Sequence, residues 1–220
     1  MAPELSPTSY AILGLLDLRP WTTYELAQQM DRALGLFWPR ARSKLYEEPK
    51  KLVAHGLAIA SSEMVGKRPR TVYTITPEGR RALAEWVPAP GDGPVLEYAD
   101  LVKVFFAEHG SKDDLLAVIE RARAWCEDRA RLGVGIARGY LNGEGPFPER
   151  LAWIILVGQF LDDFNTLVAG WADWAEGVIA KWPDDIRGAE PDLAALEAMA
   201  RHSEEYLERR RMASPGRGAS

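Results

Sequence analysis

The sequence predicts a mainly α protein with a small β-wing, and three observations carry that prediction. Residues 1–90 order as helix, short turn, helix, helix, strand pair, helix. A proline- and glycine-rich break, PAPGDGP at 88–94, separates them from the rest of the chain. Beyond it run long helical patterns, one of which keeps an apolar seam from Leu151 to Trp182 without a slip.

Ser6-Pro7 opens the first helix, because a hydroxyl cap precedes a proline whose missing N–H costs nothing there. Ile12, Leu13, Leu15 and Leu16 supply its buried face, and Arg19-Pro20 ends it. Thr22 and Glu25, spaced as a capping box, start a second helix with Leu26, Met30 and Leu34 on one face. After Leu36–Pro39 comes a basic run, Arg40, Arg42 and Lys44. Ser43 is the expected N-cap of a third helix over residues 43–55, with Leu45, Pro49, Leu52 and Val53 facing the core. Pro49 removes a backbone donor and is expected to kink that helix after its first turn. Gly56 stops it. Leu57–Val65 and Thr71–Ile75 are β-rich, the arms of a hairpin over 57–75 with a basic tip at Gly66–Arg70. Thr76-Pro77 starts a fourth helix.

Past the break, Val95–His109 and Ser111–Leu141 each read as one helix, and Glu149–Trp182 as a third. On the last, Leu151, Ile154, Leu161, Asn165, Val168 and Ile179 lie on a seam of alternating three- and four-residue steps. Such a seam packs lengthwise against another helix, and these residues are the expected dimer interface, with Asn165 fixing register. Beside it runs a stripe that includes Trp153, Phe160, Phe164, Trp171 and Trp174. The two stripes together are too wide for one partner, so the helix is expected to meet its own domain on one side and a second subunit on the other. The expected division is residues 1–90, a helical dimerisation domain over 95–182, and a helical extension with a disordered tail over 183–220.

Hydrophobic residues make up 47% of the chain and charged residues 27%, as in ordinary soluble proteins. No apolar run approaches the roughly 20 residues of a membrane span, and no secretory pattern opens the sequence, so the cytoplasm is expected. The single cysteine, Cys126, excludes an internal disulfide and leaves too little for a cysteine metal site; it reads as a buried structural thiol. The net charge of −5 hides an asymmetry. Residues 1–90 carry 12 Lys and Arg against 9 Asp and Glu, while the remainder carries 15 against 23. The positive charge is therefore local to the first ninety residues, and phosphate affinity depends on local charge.

The order of elements is that of a winged helix-turn-helix, whose third helix fits the major groove of DNA and whose hairpin follows the backbone. The candidate double-stranded DNA contacts are Arg40, Arg42, Ser43, Lys44, Tyr46 and Lys51 on or before the third helix. Lys67, Arg68 and Arg70 at the wing tip join them, with Tyr73 on the second arm and Thr23 and Tyr24 at the head of helix two. A winged helix that docks a protein partner instead is the competing reading. No cofactor, metal set or catalytic constellation is expected: His55, His109 and His202 lack ligand spacing, and no phosphate loop or nucleophile elbow occurs.

The first ninety residues resemble the PadR family of transcriptional regulators. The likeness is carried by SYAILGLL, TYELA, SKLYEEPKKLVAHGLA and RPRTVYTITPEGRRAL, with Tyr73, Thr76 and Gly79 in a Tyr-x-x-Thr-x-x-Gly pattern. Leu101–Trp182 is similar to the helical domain of members related to virulence activators. A glycine commonly precedes the helix-two tyrosine in the family, whereas this chain has Thr23 in its place. The resemblance implies a homodimer on a pseudo-palindromic operator, mostly repressing, with some members answering small phenolic or drug-like molecules. Trp153, Phe160, Phe164, Trp171 and Trp174 are the candidate effector contacts by stacking, although aromatics at helical spacing more often fill a core or an interface.

Overall fold

Side-chain caps start three of the four helices in the first half where the sequence places them. Ser6 accepts from the backbone N–H of Ser9 at the head of α1 (Pro7–Leu18). Thr22 and Glu25 close a capping box on α2 (Thr23–Ala33), and Thr76 accepts from Gly79 N–H on α4 (Pro77–Trp86). The third helix, α3 (Arg42–Ala54), departs from expectation: Ala41 is its N-cap, no side chain caps it, and Ser43 lies inside the first turn. The Ser43 hydroxyl is thereby spared a capping role. The helix continues through Pro49, whose ring is fully buried, and Gly56 ends it at φ +70°.

These elements belong to a computed structural model that describes residues 5–65 and 68–213 and divides into two units between Leu96 and Glu97. Among the described residues of the first unit, β1 (Trp21–Thr22), β2 (Ala58–Val65) and β3 (Arg68–Ile75) form an antiparallel sheet in the order β1-β3-β2. The hairpin is the expected wing. The short strand β1 has no signal in the sequence, since two residues carry no periodicity; it exists because Trp21 pairs with Tyr73. The Trp21 indole also donates to the Leu15 carbonyl at 2.7 Å. Ile12, Leu13 and Leu16 of α1, Leu26 of α2 and Leu45 and Leu52 of α3 are fully buried and join the three helices.

The glycine of the Tyr-x-x-Thr-x-x-Gly pattern has a steric cause. A Cβ on Gly79 would run into the Leu57 carbonyl oxygen and lie 2.8 Å from Ile75 Cγ1. The same corner is tied by Thr76, which donates to the Gly56 carbonyl at 2.8 Å. Gly79→Ala is therefore expected to destabilise the first unit by about 1–3 kcal/mol, as overpacking does, read as a lower melting temperature.

In the second unit the helix expected over 95–109 is shorter: α5 (Ala99–Phe105) gives way at Phe106 to a 3-10 turn over Ala107–His109. Ser111 and Asp114 then cap α6 (Lys112–Leu141), which packs on α7 (Leu151–Ile179); α8 (Leu193–Ala213) comes last. Leu115, Ile119, Ala122 and Cys126 of α6 meet Val168, Ala172, Ala175 and Ile179 of α7 in one core. This core corrects the seam assignment. Val168 and Ile179, expected between subunits, are buried inside their own chain, so their surface is already taken. Part of the aromatic stripe stands outside, with Phe160 60% and Leu167 65% exposed, while Phe164 and Trp171 of the same stripe pack against the core. Arg123 reaches from α6 to Asp173 and Glu176 on α7 and to Glu120, and these hydrogen bonds raise its pKa above the ordinary arginine value. Burial pushes the Cys126 thiol up, in keeping with a structural cysteine.

The expectation that no stretch is apolar enough for a membrane also changes at α7. Residues 148–179 form a helix long and apolar enough, by length and composition, to cross one. The sequence shows no unbroken apolar run because Gln159, Asp162 and Asp163 interrupt it, yet the averaged stretch is apolar. Asp162 and Asp163 stand mid-helix, where an ionised carboxylate costs roughly 2.5–3.5 kcal/mol in a bilayer centre.

Candidate nucleic-acid interface

The two faces of α3 separate cleanly. Leu45, Glu48, Pro49 and Leu52 point inward, while Ser43, Lys44, Glu47, Lys50 and Lys51 are exposed on the other side. Helical periodicity explains this division, except for one member. Glu48 is a carboxylate only 6% exposed, and its i, i+4 spacing from Leu52 is the one sequence signal of that burial. Its charge is held by the Ser9 hydroxyl, by Lys51 Nζ at 2.8 Å and by the Ser6 hydroxyl at 3.5 Å. Ser6 and Ser9, at the head of α1, thus tie down the middle of α3.

Burial alone pushes the Glu48 carboxyl up, but the hydrogen bonds from Lys51, Ser9 and Ser6 outweigh it and leave the pKa below the ordinary value of 4.5. A depressed folded-state pKa contributes stability that is present above the unfolded value and lost as pH falls through the folded one. Thermal stability of the first unit is therefore expected to fall as pH drops below about 4.5. Glu48→Gln should melt lower than the parent at neutral pH and lose less on acidification. Equal pH dependence of the two melting curves would count against this role.

The structure draws several predicted contacts together. Arg40, Ser43, Lys44 and Lys51 share one cleft at the head of α3 with Trp38, Glu47 and Glu48. Arg42 opens α3, and Tyr46 is 37% exposed one turn on. Lys51 is engaged with Glu48, and Lys50 pairs with Glu47 at 3.1 Å, so neither is a free cation. At the head of α2, Thr23 is half-buried and Tyr24 is exposed, its hydroxyl accepting from Gln28 at 2.9 Å. On the wing, Arg68 opens β3 and Arg70 is exposed opposite Glu63; Lys67 lies outside the described residues.

Two predicted sets do not survive in the folded chain. Tyr73 is 5% exposed on β3, paired with Trp21, and packs with the core, so it offers little surface for a DNA contact. The packing ends toward the wing tip: Thr71, two residues back on the same face, is exposed. The five aromatics offered as effector contacts also fail as a single site. Trp153 and Trp174 are 21 residues apart on one helix, about 30 Å, too far for one small molecule. Phe164 packs edge-on against Trp125 at 6.3 Å, and Trp171 packs on the core.

Three helices, a hairpin wing and a fourth helix, with the third helix's polar face open, define a winged helix-turn-helix protein. The family model that matches, over residues 12–85, is described as the transcriptional regulator PadR-like family. Over this domain the chain is similar to the PadR-like family of transcriptional regulators. It is 34% identical over 79 residues to the negative transcriptional regulator PadR of Bacillus subtilis, a match spanning 36% of this chain and 43% of that protein. A probable transcriptional regulator of Mycobacterium tuberculosis is 32% identical over 82 residues, spanning 37% of this chain and 43% of its own length. The chain thus spans less than half the length of the curated relatives it matches.

Likeness of fold extends further. The crystal structure of Bacillus subtilis PadR in complex with operator DNA superposes with a TM-score of 0.65 at 20% identity, covering 79% of this chain and 99% of the other. The same protein in complex with p-coumaric acid gives 0.60 at 22%, covering 79% and 98%. The Vibrio cholerae virulence activator AphA gives 0.53 at 24%, covering 79% and 96%. At these identities the likeness is one of fold alone, and it reaches into the helical unit.

Proposed function

We propose that the chain is a DNA-binding transcriptional regulator, a homodimeric repressor that grips a pseudo-palindromic operator with α3 and the β2–β3 wing. The observation that carries this reading is the head of α3, where Arg40 and Lys44 share a cleft and Arg42 stands between them in the sequence of a net acidic chain. Arg42, Ser43, Lys44 and Tyr46 lie in the turns that reach base edges when such a helix enters the major groove. Arg68, Arg70 and Lys67 of the wing, with Thr23 and Tyr24, serve the phosphates. A regulator of this family works in the cytoplasm, where its operator is.

The second copy packs on the exposed stripe of α7, with Trp153, Phe160, Leu167 and Trp174 at its centre. Exposed rings and leucines aligned along a helix of this length are the kind of apolar patch a soluble protein covers. Leu151, Ile154, Leu161 and Asn165 flank that stripe. A phenolic acid is the first effector to try, since a relative is solved with p-coumaric acid; the expected response is release of the duplex.

In vitro selection of duplex DNA from a random pool tests the reading. Enrichment of a two-fold symmetric sequence, bound with an affinity that falls steeply with salt, is the expected result. Recovery of no sequence above the random pool would sink it, and would favour a winged helix that docks a protein.

A further inference from the structure

Between α2 and α3, Trp38 is fixed at both ends. Its backbone N–H donates to the Leu34 carbonyl at 2.7 Å, and its indole N–H donates to Oγ1 of the buried Thr8 on α1 at 3.1 Å. The ring carries a passenger. The guanidinium carbon of Arg40 lies 3.9 Å from its centroid, and Arg40 Nη1 donates to the Pro39 carbonyl at 2.8 Å. A guanidinium stacked on a ring keeps its N–H edge open to an oxyanion, which a lysine ammonium cannot imitate.

The surrounding charges leave that guanidinium unneutralised. The cleft that Arg40 shares contains two carboxylates, but Glu47 is paired with Lys50 and Glu48 with Lys51. Arg40 and Lys44 make no ion pair among the described residues, so the cleft holds two uncompensated cations beside the first turn of α3. An exposed arginine side chain ordinarily surrenders most of its rotamer freedom on binding; in this cleft the stack has already restricted it.

We propose that Trp38 is a positioning residue that holds Arg40, stacked and edge outward, for a backbone phosphate of the bound DNA. The proposal rests on the reading of the chain as a DNA-binding regulator. Trp38 itself touches no nucleic acid; it acts through Arg40. An exposed cation–π contact is worth about a two- to fivefold change in affinity.

A double-mutant cycle on the full chain tests this with the selected duplex, measured across a salt series, with melting temperatures in parallel. Arg40→Lys keeps the charge and loses the flat stack, and is expected to bind about two- to fivefold more weakly than the parent. Trp38→Leu should lose a similar factor, and the double variant no more than either alone. Trp38→Phe keeps a ring face and is expected to stay within about twofold of the parent. Additive losses, or Arg40→Lys binding like the parent, overturn the proposal. The second of these reads out even if Trp38→Leu does not fold, because Arg40 is a surface residue. A parent that binds no duplex in a salt-dependent way sinks the DNA-binding reading itself, whereas a parent that binds with independent Trp38 and Arg40 effects overturns only the positioning role.

Discussion

Replacing Arg42 and Lys44 together with alanine is expected to weaken binding to the selected duplex by about two orders of magnitude. One bidentate arginine contact to a base carries about 1–3 kcal/mol, and each lost phosphate contact flattens the salt slope by about one. The nearby cations cannot take over. Lys50 and Lys51 are held by Glu47 and Glu48 on the same helix, which leaves Arg40 as the remaining free charge of the cleft among the described residues. Because Lys44 is exposed and Leu45 and Leu52 carry the packing, the double variant should melt close to the parent. Titration of parent and variant at matched salt decides it. Binding within about threefold of the parent would move the reading surface away from the head of α3.

The second large effect concerns assembly. Phe160→Glu with Leu167→Glu is expected to convert the proposed dimer to a monomer at micromolar concentration, read by light scattering, with helical content retained. Both side chains are more than half exposed within the chain, so the substitution costs the isolated fold little. In a dimer that buries the stripe it would enclose four carboxylates without partners, a cost no interface of this kind absorbs. Duplex affinity should fall as well, since two half-sites are then no longer held together. Val168→Ala supplies the contrast, because its side chain lies in the α6–α7 core: it should lower stability and leave the dimer intact. A parent that is already monomeric, or a double glutamate variant that stays dimeric, would remove α7 from the interface.

Much of the first unit is legible in the sequence because its signals are local. Ser6-Pro7, the Thr22/Glu25 box and Thr76-Pro77 each mark a helix start within four residues, and all three caps form. The basic run before α3 is equally visible, since charge is read directly from residue types. Ser43 misleads because a serine at a helix entrance caps only if the backbone turns there, and it turns two residues earlier at Ala41. Tyr73 misleads in a different way. It sits in a motif on a binding element, which suggests a contact, while strand packing and the pairing with Trp21 turn it to the core.

Local pattern alone sets the fold class, the order of elements, the family likeness and the place where positive charge concentrates. Each comes from short-range spacing, caps and composition, which the chain carries whatever it packs against. Three outcomes required the folded chain: which of the two stripes on α7 faces inward, the burial of Glu48 among serines at the head of α1, and the two-residue strand that completes the sheet. Those outcomes depend on residues tens of positions apart meeting in space. Both stripes are apolar enough to be buried, and the residue type of Glu48 points to solvent even though its helical spacing points inward. What separates the alternatives is which partner α6, α1 or β3 brings to them.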